Sequence, residues 1–155
     1  MRARLEKEPL VTPDDLFSLA NLLPLPIWCV WIFTPHSSLA KRLAELLWPW
    51  GVLAGVYAFA VLMASLSGGP GPEAFFSLSG VMSIFDYPWP TLAGWVHYLC
   101  FDLFCARWMV NDAPEAGYKL SPFLVLTLFY GPIGFLAYLA FRTRLVARPL
   151  ATSAL

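Results

Sequence analysis

Four stretches of the chain run for about twenty residues almost without charge, and that pattern leaves a polypeptide few ways to fold. Crossing roughly 30 Å of hydrocarbon at about 1.5 Å per residue takes about 20 apolar residues. Inside lipid every backbone N–H and C=O must find a partner within the chain, which a helix achieves locally. The stretches fall at residues 16–33, 48–67, 91–110 and 121–141, within one domain covering residues 1–155. The expected fold is therefore all-α, an integral membrane bundle of four transmembrane helices. Composition agrees: 59% of the residues are hydrophobic and 13% charged, against about 25% charged in soluble domains.

Local signals set the boundaries. In "TPDD", Thr12 or Asp14 can cap the first helix, and the acids suit its N-terminal dipole. Asn21, Pro24 and Pro26 interrupt that span. In the second, "WPWGVLAGVYAFAVLMASLS", Gly51 and Gly55 lie four apart with Ala54, Ala58 and Ala60 nearby, a spacing expected to let helix backbones approach closely. The connector at 68–90, rich in Gly and Pro, has an apolar run too short to span. It reads as an interfacial or re-entrant segment between helices 2 and 3 that can act as a lid. Trp48, Trp50, Trp89 and Trp108 sit near the boundaries, where amphipathic rings anchor.

Zero net charge leaves no basic patch, which excludes nucleic acid as a partner. With four crossings, Arg2, Arg4, Lys7, Arg142, Arg144 and Arg148 share one side, and Lys41, Arg42, Arg107 and Lys119 the other. Six against four places both termini in the cytoplasm. Cys29, Cys100 and Cys105 form no CxxC pair and read as small buried hydrophobes. The mixed-charge N-terminus lacks an apolar signal core and is not acid-poor like a transit peptide. No three or four convergent ligands suggest a metal site, and a haem held by His36 and His97 lacks a supporting motif. His36 reads as an exposed loop residue.

The third span, containing "WVHYLCFDLFCARW" at 95–108, carries three ionisable groups where they are expensive. Asp102 falls about 16 Å from the start of the helix, close to the bilayer midplane. A charge there costs roughly 2.5–3.5 kcal/mol, so such residues face a partner or a wet cavity. A carboxyl at that depth is expected neutral and able to donate a proton. His97, five residues earlier, points about 140° away around an ideal helix. Arg107 can snorkel to the interface. Helix breaks at Pro24 and Pro26 and at Gly131, Pro132 and Gly134 fall at the depth of Asp102, where freed backbone groups can line a binding site. The competing reading is that Asp102 bonds a freed carbonyl, Asn21 or Thr127, and only joins helices.

The pattern W-V-H-Y-L-C-F-D-L-F-C-A-R at 95–107 resembles the core of the abscisic-acid-deficient-four-like integral membrane family. The segment at 21–49 and "GPIG" at 131–134 agree, so the similarity runs from about residue 15 to 141. The resemblance implies a small helical membrane protein of carotenoid metabolism, in which the epoxide of violaxanthin opens to the allene of neoxanthin. Such an isomerisation needs one acid and one base and no redox cofactor. Asp102 is the expected acid and His97 the expected base. Asn21, Phe101, Phe104, Tyr130, Gly131 and Pro132 are the residues expected to line the ligand cavity. Without a transit peptide, the chain is expected in a bacterial inner membrane.

Three function classes follow. The first is an isomerase acting on an epoxycarotenoid or another long apolar substrate within the bilayer. The second is a non-catalytic protein that binds a carotenoid, quinone or lipid, or assists a partner enzyme. The third, a small transporter, finds no internal repeat to support it. The expected partners are the lipid bilayer and a long apolar ligand, and a homo-oligomer fits any of the three.

Overall fold

The computed structural model describes residues 11–113 and 119–146. Of the charges counted for orientation, Arg2, Arg4, Lys7 and Arg148 lie outside the described residues, as does the side chain of Arg144. The helices follow as α1 (Pro13–Leu22), α2 (Leu25–Phe33), α3 (Ser38–Glu45), α4 (Trp48–Leu66), a 3-10 turn (Pro72–Phe76), α5 (Leu78–Ile84), α6 (Pro88–Asp112), α7 (Ser121–Tyr130) and α8 (Pro132–Val146). No strand occurs among the described residues.

Thr12 begins α1. Its hydroxyl accepts from the Asp15 N–H at 3.2 Å while the Asp15 carboxylate accepts from the Thr12 N–H at 3.0 Å, a reciprocal cap. Pro24 and Pro26 lack an N–H, so α1 gives way to α2 across a two-residue step. Leu23 still bonds to Leu19 and Trp28 to Pro24, both at 3.0 Å, and the chain runs on with a kink. Residues Pro13–Phe33 and helix α4 are the two segments long and apolar enough to cross a membrane among the described residues.

Helix α6 is the axis of the fold, burying Leu92, Val96, Leu103, Ala106 and Met109. Helix α4 packs antiparallel to it: Trp50 lies under Arg107, Tyr57 beside His97, and Phe59 against Trp89. The contact face of α4 is Leu53, Val56 and Ala60. Gly51 and Gly55, expected to bring backbones together, have nothing within 4 Å of where a Cβ would stand. They belong to the outward face, because the phase of the helix follows its larger apolar residues. Helix α3 lies across one end of α6 in a two-way clasp: Lys41 Nζ donates to the Val110 carbonyl at 3.0 Å, and Arg107 Nε donates to the Ala44 carbonyl. Trp31 Nε1 donates to the Ala40 carbonyl at 3.0 Å and ties α2 to the same place.

The expected fourth span is instead a hairpin. The rings of Phe123 and Tyr138 are 5.8 Å apart and those of Phe123 and Phe141 5.5 Å, whereas eighteen residues of one straight helix cover about 27 Å. The pivot is Gly131, with φ of +46°, a region that a side chain disfavours. Gly134 then lets α8 lie directly on the backbone at Thr127. Helix α7 descends from the Asp112 end of α6 to the level of Asp102, and α8 returns to the Asp112 end. There Tyr138 Oη donates to Asp112 Oδ2 at 2.7 Å and Arg142 makes a two-pronged ion pair with the same carboxylate. A hairpin and a span have the same apolar composition, so hydropathy cannot separate them.

This turn also moves the end of the chain. Pro13 shares a cavity with Pro88, at one end of α6, while α8 finishes at the other, so the first and last described helices end on opposite sides. The termini themselves lie outside the described residues. Lys41, Arg42, Arg107, Lys119 and Arg142, the described Lys and Arg side chains, gather at the Asp112 end, where Glu45 and Asp112 offset two of them, and Asp14, Asp15, Glu73 and Asp86 lie at the other.

Two outcomes test the hairpin. Gly131→Ala combines a disfavoured φ with a Cβ 2.6 Å from Asp102 Oδ1, and should cost about 1–3 kcal/mol in thermal unfolding in detergent. The Arg142 guanidinium holds the Asp112 carboxyl below the usual carboxylate range. A lowered folded-state value means that the pair stabilises the fold fully above about pH 4 and ceases to as pH falls through the lower value. Asp112→Asn should therefore lower the melting temperature at pH 7 and make little difference at pH 2.

Candidate functional site

Helix α6 presents its two unusual residues to different surroundings. His97 sits between the Tyr57 ring of α4, 5.8 Å away between centroids, and the Phe101 ring one turn later, stacked at 4.7 Å. It lines a cavity of about 620 Å³ between α4, α6 and the connector, a size usual for small-molecule sites. Val61, Phe75, Ile84 and Phe85 supply apolar walls; Tyr57 and His97 are the titratable side chains lining it. The connector covers the cavity because Gly80 packs onto the backbone of Ala74, folding the 3-10 turn and α5 into one unit. Phe76 of that unit is 90% exposed, and Leu78 and Met82 also point outward, as in an interfacial segment.

Asp102 faces the other way, toward the hairpin tip. It is 7% exposed, its Oδ1 is against Gly131, and its Oδ2 is buried without a hydrogen-bond partner among the described residues. Tyr98 and Cys105, one turn before and after on the same face, interact with it electrostatically. Neither proposed helix-joining partner reaches it. Asn21 donates to the Phe17 carbonyl at 2.7 Å and accepts from Trp95 Nε1 at 3.1 Å, and Thr127 donates to the Phe123 carbonyl at 2.8 Å. A buried polar atom with no partner costs about 1–3 kcal/mol or more, so Asp102 is held there by the packing of α6 against α7 and α8.

The expected acid and base are thus not brought into one cavity: Asp102 is absent from the lining of the His97 cavity, as five helical residues of phase dictate. The expected ligand-lining set is dispersed too. Phe101, Phe104, Tyr130 and Pro132 stand exposed on the outer surface, Gly131 is buried under Asp102, and Asn21 is half-buried on α1. Tyr57 was not singled out from the sequence; its phenol in the middle of an otherwise apolar span was the available signal. Arg107 reaches toward the end of α3. Half-buried, it stacks over Trp50 at 5.2 Å and caps α3. His36 is half-buried rather than exposed. Cys29 is exposed and Cys100 and Cys105 half-buried, because in an apolar helix an outward position reads like a core one. Among the described residues no three His, Cys, Asp or Glu side chains gather as a metal site would require.

The two faces separate in a simple experiment. Asp102→Leu, which fills the space without a stranded oxygen, should keep or raise thermal stability. His97→Leu should leave the melting temperature nearly unchanged, since the imidazole is exposed to the cavity.

The sequence matches the family model described as ABA DEFICIENT 4-like over residues 15–138. Among curated proteins it is similar to "Protein ABA DEFICIENT 4, chloroplastic" of Arabidopsis thaliana, with 25% identity over 135 residues. The matched region covers 81% of this chain and 59% of that relative, so the chain spans about three fifths of the relative's length. The relative's name places it in the chloroplast, which gives no support to the expected bacterial inner membrane. No solved structure matches. With the family pattern extending from α1 through the hairpin and taking in His97, Asp102 and Gly131, the chain belongs to the ABA DEFICIENT 4-like family.

Proposed function

We propose that this chain is an integral membrane protein of carotenoid metabolism that binds the oxygenated end ring of a xanthophyll in the His97 cavity and isomerises it. The observation that carries this reading is the cavity itself: an apolar space of about 620 Å³ in which one imidazole and one phenol are the proton-carrying groups.

The membrane part of the reading rests on surface and charge. Phe33, Leu66, Phe76, Leu78, Phe129 and Leu136 are all more than 60% exposed, far beyond what a water-facing monomer displays as a continuous surface. Three crossings, α1–α2, α4 and α6, with α7–α8 dipping to the middle from the basic end, bury this surface in lipid. The basic Asp112 end then faces the side retained by the positive-inside rule, and the acidic end faces the opposite side.

The chemistry needs no electron acceptor or donor. An epoxide C–O bond breaks toward its oxygen, which takes a proton, while a base takes the proton from the neighbouring polyene carbon and its C–H electrons complete the allene. His97 is the base, and the Tyr57 phenol beside it is the acid. This assignment replaces Asp102, which faces another side of α6, against Gly131 of the hairpin. His97 stacks on Phe101, which fixes the plane of the imidazole at the edge of the cavity.

The test is turnover of violaxanthin by the full chain in detergent. His97→Ala should lower the rate by about 10²- to 10⁴-fold, Tyr57→Phe should lower it while retaining pigment, and Asp102→Asn should retain turnover in the folded fraction. Full turnover by His97→Ala would overturn the mechanism. Pigment bound by the wild type with no product formed would leave a carotenoid-holding protein without chemistry.

A further inference from the structure

Phe85 and Gly94 border two cavities at once. One is the His97 cavity; the other, about 520 Å³, lies on the opposite flank of α6 against α1, between Phe17, Tyr87, Thr91 and Trp95. The carboxylates of Asp14 and Asp86 belong to this second cavity. Between the two spaces, the Phe85 ring rests on the bare backbone of Gly94. A Cβ at position 94 would stand 2.8 Å from the ring's Cε1, so only glycine allows the ring its present position. Thr91 Oγ1 donates to the Phe85 carbonyl at 2.8 Å and pins the backbone, leaving the side chain to turn about its own bonds. The ring is 52% exposed, with free space on either side. Side chains of this kind change rotamer in picoseconds to nanoseconds.

We infer that the two cavities are lobes of one channel that crosses α6 beneath the connector, gated by Phe85, and that its ligand is an elongated apolar molecule with a hydroxyl at the end reaching Asp14 and Asp86. This deepens the proposed function and rests on the His97 cavity being a ligand site. The walls of both lobes are aromatic and aliphatic, which suits an apolar body. Ionised carboxylates only accept hydrogen bonds, so a hydroxylated end satisfies them and a hydrocarbon end does not. Phe85 and Gly94 are the residues common to both lobes, and a side chain at position 94 would crowd the ring between them.

Binding to the full chain in nanodiscs tests the channel with three probes: zeaxanthin, hydroxylated on both end rings; β-carotene, its hydrocarbon counterpart; and 3-hydroxy-β-ionone, a single end ring. Wild type should bind zeaxanthin about tenfold or more tighter than β-carotene, and Asp14→Ala with Asp86→Ala should erase that preference. Gly94→Val should weaken zeaxanthin by about tenfold while leaving the single ring bound as before, and Phe85→Ala should speed zeaxanthin association. If Gly94→Val holds both probes as tightly as wild type, the channel is wrong and the His97 site stands. If Gly94→Val loses the single ring as well, the variant has lost its fold and Phe85→Ala decides: an unchanged association rate refutes the gate. If wild type binds none of the probes, the channel and the proposed function fall together.

Discussion

A helix pair that reverses direction at the depth of Asp102 leaves backbone groups to be satisfied at that depth, and the rest of the structure is arranged around this requirement. The last carbonyls of α7 and the first amides of α8 have no partners within their own helices. Pro132 removes one amide from the account, Gly131 closes the turn through its 2.8 Å bond to Thr127, and Phe135 returns to the Gly131 carbonyl at 3.2 Å. Asp102 is the polar side chain that α6 presents to this place. The hairpin can be as short as it is because its outer end is fastened to Asp112 rather than to solvent-exposed loops alone.

That division of labour explains why α6 carries two polar residues that do not cooperate directly. One face of the helix holds the hairpin and the other forms the wall of a cavity, and the roughly 100° advance per residue sorts His97 from Asp102. The cavity owes its existence to the connector, whose two short helical pieces lean over α4 and α6 instead of leaving them open.

Much of this was legible beforehand. Thr12 caps α1 as its neighbours implied, and α4 begins at Trp48 and ends one residue short of expectation. Helix α6 is longer than hydropathy gives it because Pro88, Trp89 and Pro90 fit its first turn, where a missing N–H costs nothing. The hairpin was not legible, since Gly131 and Pro132 mark a break without saying how far the chain turns. The outward phase of Gly51 and Gly55 was hidden for a related reason: in an apolar helix, small residues favour close packing only where a neighbouring helix is actually present. Tyr57 was overlooked because its ring passes for one more apolar residue, while its hydroxyl matters only once His97 is known to lie beside it.

The separation of basic from acidic ends gives the molecule an electrical polarity along its long axis. In the proposed membrane arrangement that axis lies across the bilayer, so the protein's orientation would be coupled to any voltage there. Carrying one elementary charge through 100 mV is worth about 2.3 kcal/mol, and the clasped pair of Lys41 and Arg107 would have to cross for the molecule to invert. For the proposed arrangement, an energised membrane, negative on the basic side, would act as a lock on the direction in which the protein stands.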